Sequence, residues 1–277
     1  MLFSMSFAPL LALQNLHVSV EGKEVVRGVS LSIPQGEVHA IMGPNGSGKS
    51  SLVSALAGHP AYTVTEGSAE FLGEDLLAMP PHERALQGLF LAFQYPREIA
   101  GVSLRSFLLA AHRARAAADT TVKRLSPLQF EKILNAEMKT LAMDPAFLER
   151  SVNKGFSGGE KKKAEILQMT VLQPKLALLD ETDSGLDVDA LRTVAEGVVG
   201  LRASRGELRK NNSQNSPSIL IVTHYARILD YLTPDRVHVM VRGKIVESGG
   251  ADLALKLEKE GYRKFGVTEE GGIVLEA

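Results

Sequence analysis

Residues 43–50 read G-P-N-G-S-G-K-S, an instance of G-x-x-x-x-G-K-[ST] that restricts both the local fold and the ligand class. Glycines let successive backbone N–H groups turn inward around an anion without a Cβ in the way. Lys49 supplies a mobile positive charge for terminal phosphates, and the Ser50 hydroxyl can enter a Mg2+ shell. Such a loop works between a strand and a helix whose positive end faces the same anion. The flanks agree, because 37–42 is a short apolar run that predicts a buried strand and 51–57 is an apolar helical segment. Chance would place the pattern in on the order of one chain in a hundred of this length. A site for a nucleoside triphosphate is expected, with ATP and GTP both open on these residues.

A second constellation completes such a site. Residues 176–181 read L-A-L-L-D-E, an apolar strand with carboxylates at its end, where open α/β sheets hold their ligands. Asp180 is the candidate to hold Mg2+, mostly through water, and Glu181 the candidate general base for an attacking water. Taken alone, two acids here would equally suit a helix start. An upstream phosphate loop shifts the reading toward catalysis.

Composition narrows the alternatives. The 277 residues are 44% hydrophobic and 23% charged with a net charge of -1, an ordinary globular balance with no overall basic field for nucleic acid or an anionic membrane. The sequence has no cysteine, so disulfides, Cys-zinc sites and thiolate-held clusters are excluded within it, which fits a reducing cytoplasm. No run of 18 apolar residues occurs, so no direct membrane insertion is expected. The apolar start, 1–13, lacks a basic n-region and reads as a short tail leading into the first strand.

Elsewhere the pattern alternates strand and helix. Strands are expected at 11–20, 25–33, 68–72, 89–93 and 219–222, and a hairpin at 237–241 and 244–247. From 104 to 148 the texture turns helical, with Pro127 and Pro145 marking helix starts. Further helices are expected at 158–172, which has a basic first half, and at 188–202 and 252–259. The Asn/Ser-rich stretch 206–218 reads as a solvated loop.

Between and after the two constellations lie F-S-G-G-E-K at 156–161, S-G-L-D at 184–187 and T-H at 223–224, while Gln94 sits in F-Q-Y-P at a strand end. In this order the set resembles the ATP-binding-cassette (ABC) family over almost the whole chain. The resemblance implies an α/β fold: a P-loop NTPase with a RecA-like mixed-sheet core, an antiparallel β subdomain and a helical subdomain. It implies one ATPase domain over 11–261, with the helical subdomain at about 100–172 and tails at 1–10 and 262–277. ATP and Mg2+ are the implied ligands. Gly43, Pro44, Asn45, Gly46, Ser47, Gly48, Lys49, Ser50, Ser51 and Gln94 would touch ATP, and Ser50, Gln94 and Asp180 would serve the metal. Ser157, Gly158, Gly159 and Glu160 match the family signature, which caps the γ-phosphate held by a second copy; the family's usual Gln is Glu160 here. Ser184, Gly185, Leu186 and Asp187 match the D-loop at the dimer interface. His224 matches the switch histidine, which joins Lys49 and Glu181 in catalysis. Where the family stacks an aromatic ring on adenine, this sequence has Val20, with His17 nearby, so base stacking is expected to be weak.

Longer phrases narrow the resemblance. L-A-G-H-P-A-Y-T-V-T-E-G, F-L-A-F-Q-Y-P-R-E-I and T-H-Y-A-R-I-L-D-Y are similar to the branch of the family that drives SUF iron–sulfur cluster assembly. Ala100 and Lys163-Ala164 depart from that branch's usual residues. The branch implies partners SufB and SufD, ATP-dependent pairing with a second copy, and docking around 95–107. Missing cysteines agree, since the cluster would be held by another chain. The rival reading is the nucleotide-binding subunit of a membrane ABC transporter, which shares every catalytic motif.

Overall fold

The computed structural model describes residues 8–186, 188–203, 216–224 and 226–267. In chain order the elements are β1 (Leu11–Val20), β2 (Lys23–Ile33), β3 (Val38–Met42), α1 (Lys49–Leu56), β4 (Tyr62–Phe71), β5 (Glu74–Asp75), α2 (Pro81–Gln87), β6 (Leu89–Ala92) and β7 (Ile99–Ser103). They continue with α3 (Leu104–Ala118), α4 (Pro127–Thr140), β8 (Ser151–Val152), α5 (Gly158–Leu172), β9 (Leu176–Asp180), α6 (Val188–Ala203), β10 (Ser218–Val222), β11 (Arg236–Val241), β12 (Lys244–Gly249) and α7 (Ala251–Glu260). The chain divides into two compact units. One comprises Met1–Arg84, Ser218–His224 and Pro234–Ala277, and the other Ala85–Pro217 and Tyr225–Thr233. Among the described residues no helix is long and apolar enough to cross a membrane.

The first unit holds an antiparallel sheet, β2-β1-β4-β5, and a second group in which β3 runs parallel to both β10 and β11, with β12 antiparallel outside β11. In β1, Leu11 and Leu13 and then Leu16 and Val18 are buried. The alternation slips by one between Leu13 and Leu16, where the register to β2 shifts and Asn15 takes a φ of 48°. A bulge there keeps both halves of the strand facing the core. Every residue of β3 is buried, as a central strand covered on both faces requires.

A polar chain with two buried histidines at its centre runs through this unit. His39 Nε2 pairs with Glu37 at 2.8 Å, His39 Nδ1 with His238 Nε2 at 3.1 Å, and His238 Nδ1 with the Ser248 hydroxyl at 2.7 Å. Burial, then His39 and Arg236, push the His238 imidazole down to about 4. The folded state therefore keeps it neutral, while the unfolded chain binds a proton near the ordinary value of 6.5. The stabilisation is complete above about pH 6.5 and is lost as pH falls toward 4, at a cost on the order of 3 kcal/mol. Urea unfolding at pH 7 and pH 4.5 should show this loss, and His238→Asn should reduce it.

In the second unit β6 and β9 pair in parallel, Leu89 opposite Leu176 and Ala92 opposite Leu179. The region 104–148 holds α3, α4 and a 3-10 turn at Pro145–Glu149, with Pro127 and Pro145 each in a first turn as expected. Ser126 and Gln129 form a capping box that starts α4, whose Phe130, Leu134 and Met138 are buried at helical spacing. Arg115 of α3 donates to the carbonyls of Leu172 (2.7 Å) and Gln173 (3.0 Å), satisfying the C-terminal end of α5.

Several expected boundaries change: the strand expected at 68–72 spans Tyr62–Phe71, β2 begins at Lys23, α1 begins at Lys49, β12 runs on to Gly249, and Ser218 belongs to β10, not to the preceding loop. Most of that loop, 204–215, lies outside the described residues, as do Asp187 and 268–277.

Candidate functional site

In the first unit, β3 ends at Met42, the loop 43–48 follows, and α1 begins at Lys49. The loop is wedged in place by backbone. A Cβ on Gly43 would lie 2.1 Å from the Met240 carbonyl oxygen, and one on Gly48 2.5 Å from that of Val25. Gly48 also has a φ of 103°, a conformation natural to glycine. Gly243 donates to the Ser47 carbonyl at 2.8 Å and fixes the loop from the β11–β12 turn. No side chain caps α1, and its first turn holds no acid; its first N–H groups and its dipole are suited to an anion. Lys49 is buried, and its ammonium donates to the carbonyls of Gly43 (2.8 Å) and Pro44 (3.0 Å) and to the Ser47 hydroxyl (3.4 Å). Asn45 and Gly46 are exposed, and Ser50 and Ser51 half-buried. His224 follows β10, next to β3, where Thr223 N–H donates to the Ile41 carbonyl at 3.2 Å. Lys49, Ser50 and His224 thus lie beyond the C-terminal ends of neighbouring parallel strands.

The second unit gathers the carboxylates and Gln94. Asp180 ends β9 and is buried, while Glu181 is half-buried with a φ of 46°. A left-handed conformation at a non-glycine residue costs about 1 kcal/mol or more. Gln94, two residues past β6, donates through Nε2 to Glu181 Oε2 at 2.5 Å. The turn over 181–184 is closed by Ser184 N–H to the Glu181 carbonyl at 3.1 Å, and Gly185 and Leu186 follow it.

The segment at Ser157 is a helix start. The Ser157 hydroxyl accepts from Glu160 N–H, and Glu160 Oε2 accepts from Ser157 N–H at 2.7 Å. That N–H, then the Ser157 hydroxyl, hold the Glu160 carboxyl below its usual range. The approach is braced by Arg150, which stacks on Phe147 and Phe156 and donates to the Gly155 carbonyl at 2.9 Å. A Cβ on Gly158 or Gly159 would meet nothing within 4 Å, so the packing of this chain does not require either glycine.

Sequence reading did not single out Lys162 and Glu165, which it placed in the basic first half of a helix and its continuation. Both are buried. Lys162 donates to the carbonyls of Phe93 (2.7 Å) and Gln94 (3.0 Å), and Glu165 accepts from Phe93 N–H (2.7 Å). Burial drives both toward neutrality: it lowers Lys162 and raises Glu165 to about 7, against the pull of their mutual 3.8 Å ion pair. The signal was in the spacing, since Lys162, Glu165, Ile166 and Met169 share one helix face.

The Ser50 hydroxyl in the first unit, and the Gln94 amide and Asp180 carboxylate in the second, are hard oxygen donors of the kind Mg2+ takes. Among the described residues there is no group of three His, Cys, Asp or Glu side chains that could hold a metal ion.

Residues 26–184 match the family described as ABC transporter. The chain is also similar to the solved structure of an ATP-binding subunit of an ABC transporter, with a TM-score of 0.71 and 22% identity over 96% of each chain. It is similar as well to a dimeric ATP-binding cassette in a post-hydrolysis state bound to ADP and Pi, with a TM-score of 0.70, 18% identity, and coverage of 87% of this chain and 98% of that one. The chain belongs to the ABC family and is an ABC-type ATPase. Its relatives within the family include the probable ATP-dependent transporter SufC of Escherichia coli, 51% identical over 256 residues, 91% of this chain and 97% of that protein. A probable ATP-dependent transporter of Cyanophora paradoxa, ycf16, is 53% identical over 91% of this chain and 93% of its own. Vegetative protein 296 of Bacillus subtilis is 48% identical over 95% and 97%.

Proposed function

We propose that this chain is the cytoplasmic ATP-hydrolysing subunit of a SUF-type iron–sulfur cluster assembly complex, working with SufB and SufD. The observation that carries the reading is the near full-length match to SufC at 51% identity, in a chain that has no cysteine of its own to hold a cluster. Gly43 through Ser51 cradle the phosphates, with N–H groups of the loop and of α1 as donors. Lys49 leaves its carbonyl partners to neutralise the β- and γ-phosphates. Ser50, Gln94 and Asp180 would hold Mg2+, which when bound would offset charge on the phosphate oxygens. Glu181 orients and polarises the attacking water, and His224 hydrogen-bonds the γ-phosphate or that water.

Ser157, Gly158, Gly159 and Glu160 act on the nucleotide of a second copy. Open space around both glycines supports this, because it leaves the start of α5 unobstructed for an anion from outside the chain. Ser184 to Asp187 would meet the second copy at the same closure. Each site is then complete only in the pair.

Partner docking is assigned to the segment around 95–107 and its immediate approach. Tyr95 is 79% exposed, with Phe93, Ile99 and Val102 also exposed, an apolar cluster of the kind interfaces use. A tagged chain recovered from its native cell should bring down SufB and SufD, and Tyr95→Asp should reduce their recovery about tenfold or more. Recovery of an integral membrane permease in their place would favour the transporter reading.

A further inference from the structure

We propose that Glu165 is a positioning residue for ATP hydrolysis, acting on Glu181 through the turn at Phe93 and Gln94. The inference rests on the ATPase reading and adds to it a residue outside the nucleotide motifs. β6 ends at Ala92, so the next backbone groups leave the sheet ladder and need other partners. Side chains of α5 supply them. Glu165 takes the Phe93 N–H at 2.7 Å, and Lys162, its ion-pair partner, takes the Phe93 and Gln94 carbonyls at 2.7 and 3.0 Å. The residue so fixed is the one whose amide lies 2.5 Å from Glu181 Oε2.

An apolar residue at 165 would avoid the cost of burying a carboxylate. That cost is visible in the upward push on Glu165. The return is directional: a carboxylate fixes a single N–H vector, and a small rotation there would swing the Gln94 amide away from Glu181. Two further contacts fasten the same segment to the approach and first turn of α5. Asn153 Nδ2 donates to the Arg97 carbonyl at 2.9 Å, and Lys161 lies 3.4 Å from Glu98. The backbone around Gln94 is thus held by the helix that starts at the Ser157 segment.

The test is a double-mutant cycle on the full chain, with steady-state Mg-ATP hydrolysis as the readout. Glu165→Ala should lower kcat about tenfold or more with the KM for ATP within about threefold. Glu165→Gln, which keeps an acceptor for the Phe93 N–H, should recover most of the loss. In a Gln94→Ala background, Glu165→Ala should cost less than about twofold, because the group it positions is gone. If Glu165→Ala shows no cooperative melting transition, Glu165→Met, similar in volume and without an acceptor, replaces it in the cycle. Additive losses, or a raised KM with unchanged kcat, would overturn the inference while leaving the ATPase reading intact. A wild-type chain with no ATP turnover would overturn both.

Discussion

Glu181→Gln is expected to reduce ATP turnover by about a hundredfold or more while ATP affinity stays within about threefold. The substitution keeps the volume of the side chain, and the amide oxygen can still accept from Gln94, which now donates to Glu181 Oε2 at 2.5 Å. What is lost is the ability to take a proton from water. General-base catalysis contributes typically 10²–10⁴-fold, about 3–5 kcal/mol of barrier. Asp180, beside it, cannot substitute, because it is buried at the end of β9 and is assigned to the metal. Steady-state phosphate release and a fluorescent-nucleotide titration on the same preparation separate turnover from binding. A variant with an unchanged rate would assign the base to another residue.

Gly48→Ala is expected to weaken nucleotide binding by about tenfold or more and to lower thermal stability. Two costs combine there. An L-residue at a φ of 103° is strained by roughly 1–3 kcal/mol, and the added Cβ would stand 2.5 Å from the Val25 carbonyl oxygen, a backbone atom that cannot rotate away. Relief requires the loop to shift from β2, and with it the first N–H groups of α1. Gly46→Ala is the control. Its φ of 72° carries strain, but a Cβ there meets nothing within 4 Å, so its loss should be only a few-fold, about 1 kcal/mol. Melting curves and nucleotide titrations of the two variants side by side measure the difference. Equal effects would mean that the contact with β2 has no part in holding the loop.

Legibility in the sequence followed the strength of local signals. α5 spans Gly158–Leu172 as its pattern predicts, because a serine cap and an acid three residues on define its start. β1 was equally plain. Residues 62–67 were missed as strand because they are mostly exposed and polar, and what makes them a strand is pairing with β1. β7 and β8 carry no periodic apolar pattern, and their pairing joins segments far apart in the chain. The same limit governs the site. The phosphate loop and the L-L-D-E strand end announce themselves in consecutive residues. The roles of Lys162 and Glu165 depend on where the backbone after Ala92 is brought, and no window of the sequence contains both that turn and α5. Asp187, read as part of the D-loop, lies outside the described residues.

The most direct test of the nucleotide reading is a crystal structure of the Glu181→Gln chain with Mg-ATP. The expected result is a triphosphate on the backbone N–H groups of 45–51, with Lys49 turned from the Gly43 and Pro44 carbonyls to the phosphates and residue 181 facing the γ-phosphate. A triphosphate bound elsewhere, or Lys49 and residue 181 facing different surfaces, would contradict it.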